Sequence, residues 1–227
     1  MKKLMFFLLI ATYVTVFVQC SGDKAKPEVE DFEVADNEDI DLDDMPENAR
    51  FGFKSGVVEM ESNTMGMNQF IVMYFDDWGN KISSEIHMEF MGQKMHMVSV
   101  VKDGWSYEYD VQTKRGAKKM LDEEEFNRIN YLKIDDDMMS EFNMSYIGDV
   151  EILGKKCKQY EIDFKNEGFK AKTAIWQGIT MESEATVNGM PVTINVTKIQ
   201  ENVQVPSDKF EIPSDIIFDE PVNAEQL

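Results

Sequence analysis

The chain has 227 residues, with 43 aspartates and glutamates against 23 lysines and arginines and a formal charge of −20. Such a charge repels phosphate backbones and anionic lipid surfaces, which excludes nucleic acid as a direct partner. Two cysteines exclude a disulfide framework. With two histidines, no nucleophile elbow, no glycine-rich phosphate loop and no His-x-x-x-His or Cys-x-x-Cys spacing, the chain offers no sign of an enzyme or of a bound cofactor.

Lys2 and Lys3 open the chain, and an uncharged run from Leu4 to Val18 follows. A basic start before about 15 apolar residues reads as an export signal and is short for a membrane span. The run stops at Gln19-Cys20-Ser21-Gly22, where Cys20 takes the place of the lipidated cysteine of a lipoprotein signal and Gln19 stands where a small residue is usual. Residues 1–19 are therefore expected to be removed, which takes away two lysines and moves the charge from −20 to −22. Acylated Cys20 becomes the membrane anchor, since several acyl chains hold where one binds only marginally. Residues 20–50 carry many acids and few apolar side chains and read as a disordered tether. Asp39, Asp41 and Asp43 alternate like the start of a calcium loop, but the sixth and twelfth positions are Asp44 and Arg50, which rules out an EF-hand.

From residue 51 to about 219 the apolar period becomes two, and residues 220–227 read as a flexible end. Ile82, Ser84, Ile86, Met88 and Phe90 alternate with Lys81, Ser83, Glu85, His87 and Glu89, which predicts a strand with one dry and one wet face. Trp105, Tyr107 and Tyr109, then Tyr160, Ile162 and Phe164, then Val192, Ile194 and Val196, repeat the pattern. Asp77-Trp78-Gly79-Asn80, Met91-Gly92-Gln93, Lys102-Asp103-Gly104, Asn166-Glu167-Gly168 and Asn188-Gly189 supply turns. Asn68 to Phe75 is apolar on both faces, as a central strand covered twice would be. Asp122 to Tyr131 and Asp136 to Met144 carry helical spacing. The fold expected is mainly β: a half-open antiparallel barrel, or curved meander, with one or two short helices on its concave face.

Several stretches carry a family resemblance: Tyr74-Phe75-Asp76-Asp77-Trp78-Gly79, Asp103 to Asp110, Leu153 to Ile162, Trp176-Gln177-Gly178-Ile179 and Pro206 to Pro213. Their order and spacing over residues 51–218 resemble an uncharacterised family of bacterial envelope lipoproteins common in Bacteroidetes, itself similar to the Lol-type lipoprotein carriers and receptors. The resemblance implies a half-barrel whose apolar interior receives acyl chains, in an outer-membrane lipoprotein facing the periplasm or the surface. It carries no functional residue across.

The chain holds 17 methionines. Thioether side chains are flexible and polarisable and suit apolar surfaces that accept varied ligands. A ligand site is therefore expected at Met73, Met88, Phe90, Met95, Met97, Trp105, Tyr107, Phe126 and Ile129, taking a lipid or the acyl chain of another lipoprotein. A self-filled barrel serving as a structural or protein-interaction module is the alternative. A lesser one is copper held by Met88, Met91, Met95, Met97, His87 and His96. Strand alternation opposes it by turning the histidines away from the methionines. Trp78, Tyr109 and Trp176 are further candidates for ligand contact, with core packing as the alternative. Cys157 reads as a buried inert thiol, although its parity with Gln159 and Glu161 sets it opposite Tyr160 and Ile162, on a face expected to be wet.

Overall fold

The computed structural model describes residues 27, 29–34, 45–121, 126, 129–164 and 168–219. Residues 1–19, read as an export signal, Cys20 and the segment 220–227 lie outside them. Among the described residues, no helix is long and apolar enough to cross a membrane.

Among the described residues, twelve strands form one open, curved sheet that does not close into a barrel. They are β1 (Gly56–Thr64), β2 (Met67–Asp76), β3 (Lys81–Phe90), β4 (Gln93–Lys102), β5 (Trp105–Asp110), β6 (Arg115–Met120), β7 (Met144–Ile152), β8 (Lys155–Phe164), β9 (Phe169–Trp176), β10 (Ile179–Val187), β11 (Met190–Glu201) and β12 (Ile217–Asp219). The order across the sheet is β12-β6-β5-β4-β3-β2-β1-β11-β10-β9-β8-β7. Two antiparallel meanders, β1–β6 and β7–β11, are joined where β1 pairs with β11, and β12 adds a parallel edge on β6.

Local chemistry sets this layout. Met65-Gly66, Met91-Gly92, Asp103-Gly104, Leu153-Gly154, Gln177-Gly178 and Asn188-Gly189 each join neighbouring strands, with positive φ at both residues. That is the type I′ geometry whose twist matches paired strands. Gly178 is needed for space as well: a Cβ there would lie 2.1 Å from the Arg50 carbonyl oxygen. The β2–β3 connection is a short 3-10 turn, Asp77–Gly79, capped by the Asp76 side chain accepting from the Asp77 amide. Trp78 in that turn is 5% exposed, and its backbone bonds to Arg50, Phe51 and Lys54. It is therefore an anchor for residues 50–54 and not a ligand contact.

Helix is scarce. The helix α1 (Asp136–Glu141) is capped by Asp135, whose carboxylate accepts from the Met138 amide, and it buries Met138. Met138 joins Ile129, Phe142, Tyr160, Ile162 and Ile175 in one apolar cluster. Of the helix expected over 122–131, only Phe126 and residues 129–131 are described: Phe126 is helical and Ile129 to Tyr131 are not. Arg50 holds this connector. Its guanidinium lies 3.9 Å from the Phe126 ring centre and donates to the carbonyls of Phe126 and Ile129. Burial lowers its pKa to about 10, so it stays charged at neutral pH.

A second cluster gathers Phe51, Phe53, Val58, Phe75, Cys157, Met181 and Val196. Phe75, fully buried, touches Phe51 at 4.5 Å and Phe53 at 5.1 Å between ring centres. Trp176 packs on Phe53 at 5.7 Å. Cys157 is fully buried here, and burial pushes its thiol pKa up. Cys157 is thus buried despite its parity, because it packs in the cluster with Phe51, Phe53, Ala174 and Met181.

Parts of the acidic stretch expected as a tether lie against the sheet. Val29 and Phe32 pack on a cluster of Val57, Phe70, Val72, Tyr74, Val203 and Phe210. Val34 bridges to Val203, Lys198 pairs with Asp31, and Ala49 is fully buried. A few apolar side chains among the acids suffice to dock these short pieces. Residues 35–44 lie outside the described residues.

Candidate functional site

The unshifted registers of β2 with β3, β3 with β4, and β4 with β5 fix which side chains share a face. On one face, Ser62, Gln69, Met88 and Met95 stand in one row across β1–β4. Met60, Ile71, Ile86 and Met97 stand in the next, and Met73 lies beside Ser84 in the third. Directly paired side chains are about 5 Å apart, so these rows form a continuous surface. Met60, Met73, Ile86, Met88, Phe90, Met95 and Met97 are all half-buried. Ile86, Met88, Phe90, Met95 and Met97 belong to none of the four clusters of the described residues.

Two polar side chains interrupt this methionine face. Ser62 and Gln69, 3% and 6% exposed, pair across β1 and β2. The Ser62 Oγ and the Gln69 Oε1 are buried with no hydrogen-bond partner. A buried polar atom without a partner costs about 1–3 kcal/mol, so such atoms normally find a partner in water or a ligand. Glu108, from β5, lies on the same face opposite Ser99, and burial raises its carboxyl pKa against the attraction of Lys119.

The expected site is therefore split. Met73, Met88, Phe90, Met95 and Met97 share this face, while Trp105 and Tyr107 lie on the other. Lys102 pairs with Trp105 across the two-residue Asp103-Gly104 turn, so Trp105 follows the face of Lys102, Val100 and Val98. There, Trp105 meets Lys118, whose Nζ lies 5.7 Å from its ring centre, and Tyr107 packs on Phe218 at 5.6 Å. Phe126 is held by Arg50, and Ile129 is 8% exposed in the cluster under α1. Sequence reasoning missed Ser62, Gln69 and Glu108, although their parity with Met60, Met73 and Ser106 on their own strands sets the faces they share.

The opposite face is closed by the chain itself. Residues 203–218 run back across β1–β5. Phe210 fills the cluster over Val72 and Tyr74, and Ile212, Ile216 and Phe218 cover Val98, Val100 and Tyr109. The row expected to be wet on β3 thus holds Ser83 at 1% exposure. Within it, Lys209 reaches Glu85 at 2.9 Å and lies 4.6 Å from the Tyr74 ring centre. His87 and His96 pair across β3 and β4 and stack at 4.1 Å. They lie on the far side of the sheet from Met88 and Met95, so no methionine–histidine copper set converges.

An open cleft of about 380 Å³ lies elsewhere, on β8–β11, lined by Glu161, Lys170, Lys172 and Glu184 beside Ala171 and Ala185. Pro191 and Val192 add apolar surface to this lining.

No family model matches the chain. A stretch of 121 residues is 32% identical to an uncharacterized protein of Methanocaldococcus jannaschii, covering 50% of this chain and 34% of that protein. The chain thus spans about a third of the length of the curated relative it matches. This archaeal relative lends no support to a Bacteroidetes origin. Among solved structures, an uncharacterized conserved protein from Thermus thermophilus superposes with a TM-score of 0.51 at 8% identity, over 78% of this chain and 95% of that one. The likeness is one of fold alone. MucB in the Pseudomonas aeruginosa MucA/MucB complex reaches 0.47 at 12% identity, over 78% of this chain and 62% of that one. A putative outer membrane lipoprotein-sorting protein domain from Vibrio parahaemolyticus reaches 0.32 at 9% identity, over 69% and 89%.

Proposed function

We propose that this chain is a non-enzymatic envelope lipoprotein, anchored through Cys20 at the outer membrane, whose methionine face binds an acyl chain of a lipid or of another lipoprotein. One observation carries the reading: the half-buried Met60, Ile86, Met88, Met95 and Met97 lie on one face beside two buried polar atoms that lack partners. The methionines adapt to a chain of varied shape, and Ser62 and Gln69 offer a hydroxyl and a carboxamide to an ester or amide near its head. The export signal ending in Cys20 supplies the anchor and the envelope location.

Native mass spectrometry of the secreted chain starting at Ser21 tests this. A lipid-sized adduct, lost on organic extraction, is expected. A bare mass together with no uptake of a fluorescent fatty acid sinks the reading.

A protein-binding module is the second reading, favoured by strand β7. It ends the sheet, and Tyr146 and Ile147 on it are 51% and 45% exposed. Among the described residues no strand pairs with its outer edge, and an edge of this kind accepts an added strand. Pull-down of an extended peptide that Tyr146→Pro abolishes would favour it over the acyl reading.

A further inference from the structure

On the face away from the methionines, three potential ligands converge: Glu85, His87 and His96, whose donor atoms lie within 4.8 Å of one another. Alternation and pairing put them there. Glu85 and His87 are two apart on β3 and share a face, and His96 stands directly opposite His87 on β4. The Nε2 atoms of His87 and His96 lie 3.7 and 3.5 Å from the same carboxylate oxygen, Glu85 Oε2. Both are longer than a good hydrogen bond, and His96 Nε2, sealed from solvent, has no hydrogen-bond partner.

From this geometry we infer a site for a divalent transition-metal ion of the zinc type, held by Glu85, His87 and His96 and distinct from the methionine face. A tetrahedral ion with ligand bonds of about 2.0–2.1 Å sets its donors about 3.4 Å apart. The Glu85–His87 and Glu85–His96 separations are close to that edge length, and the two stacked rings turn about their side-chain bonds to aim both lone pairs at the ion. The donor set of two imidazoles and one carboxylate suits zinc, cobalt or nickel and not the soft Cu(I) ion. The second carboxylate oxygen, Glu85 Oε1, is held by Lys209 at 2.9 Å, which orients the carboxylate and leaves Oε2 for the metal. Phe70 pairs with His87, and Val72 and Val98 flank Glu85 on either side, which gives the site an apolar flank. The acidic chain draws cations toward it. Three protein ligands leave a fourth position for water or an exogenous donor.

The test uses the full chain without a histidine tag, stripped with chelator and titrated with Zn²⁺ by calorimetry, with native mass spectrometry for stoichiometry. One Zn²⁺ per chain is expected, with affinity falling at least tenfold in His87→Asn, His96→Asn and Glu85→Gln. Cobalt gives an independent readout in the wild type: intense visible bands mark tetrahedral nitrogen ligation, and weak bands mark a hydrated ion on surface acids. No Zn²⁺ uptake at 100-fold excess, uptake unchanged in the folded His87→Asn/His96→Asn double variant, or a weak octahedral cobalt spectrum would each overturn the site. The cobalt spectrum decides the matter even where a variant fails to fold.

Discussion

Strands β2–β5 carry two apolar faces with opposite fates. One is roofed by residues 203–218, so Val100 is fully buried and Val98 and Tyr109 are 8% and 4% exposed. On the other, Met88, Met95 and Met97 on the same strands stay half-buried. The side chains differ to match. The roofed face holds β-branched and aromatic residues, which pack in fixed rotamers, whereas the other holds methionines, which tolerate repacking. Shape-specific residues lie where the chain supplies its own partner, and adaptable ones lie where another molecule is proposed to supply it.

The largest effect should come from breaking the roofed face. Val100→Asp buries a charge with no counterion and should cost about 4 kcal/mol or more, enough to unfold a marginally stable domain. Loss of cooperative thermal unfolding, or recovery only in inclusion bodies, checks it. A stable, cooperative variant would mean that residues 203–218 lift readily. Next is the roof itself. Phe210 is 5% exposed, and Phe210→Ala should cost about 3 kcal/mol in urea unfolding. A loss under about 1 kcal/mol would show the roof to be dispensable, and the contrast between the faces would weaken.

These two variants also mark what the sequence could disclose. Alternation from Ile82 to Phe90 and the Gly-containing turns delivered the strands, because both are local rules. The roof was not legible. Phe210, Ile212, Ile216 and Phe218 have no single period, and what they cover is far away in sequence, so Ser83, Glu85 and His87 read as a wet row. The same holds for Phe32, one aromatic among acids that docks beside Tyr74 with ring centres 6.2 Å apart. The split of the expected site was legible in principle. A two-residue turn at Asp103-Gly104 pairs Lys102 with Trp105, and parity alone then separates Trp105 and Tyr107 from Met95 and Met97. Cys157 escaped parity because Phe51 and Phe53, far from it in sequence, join the cluster that buries it.

The methionine face should answer differently to the same kind of change. Met97→Asp places a charge on a half-buried position and should cost only about 1 kcal/mol of stability. It should nevertheless abolish uptake of a fluorescent fatty acid, since a carboxylate has no place beside an acyl chain. Uptake unchanged in a folded Met97→Asp protein would remove this face from the proposed site. A stability loss as large as that of Val100→Asp would mean the face is as closed as its opposite.

The smallest effect concerns Glu108, which shares the face with Met97. Its carboxyl pKa is raised, by burial first, with Lys119 opposing. Between the unfolded value near 4.3 and the raised folded value, the folded chain binds more protons than the unfolded chain. Stability therefore falls as pH rises through this window, and at neutral pH the ionised side chain is a net cost. Glu108→Gln should remove that cost, raise the neutral Tm by about 1–3 °C, and flatten the gain that the wild type shows on acidification toward pH 4. A lower Tm would mean that the attraction of Lys119 outweighs burial. Ligand adds a second reading of the same residue. An acyl chain lying along Met97 and Met95 displaces water next to Glu108 and raises its pKa further. By linkage, uptake then strengthens as pH falls through the raised pKa, and Glu108→Gln loses that dependence while keeping uptake. The roofed face, already closed, offers no such coupling, so a pH-dependent uptake that follows Glu108 would locate the ligand on the methionine side of the sheet.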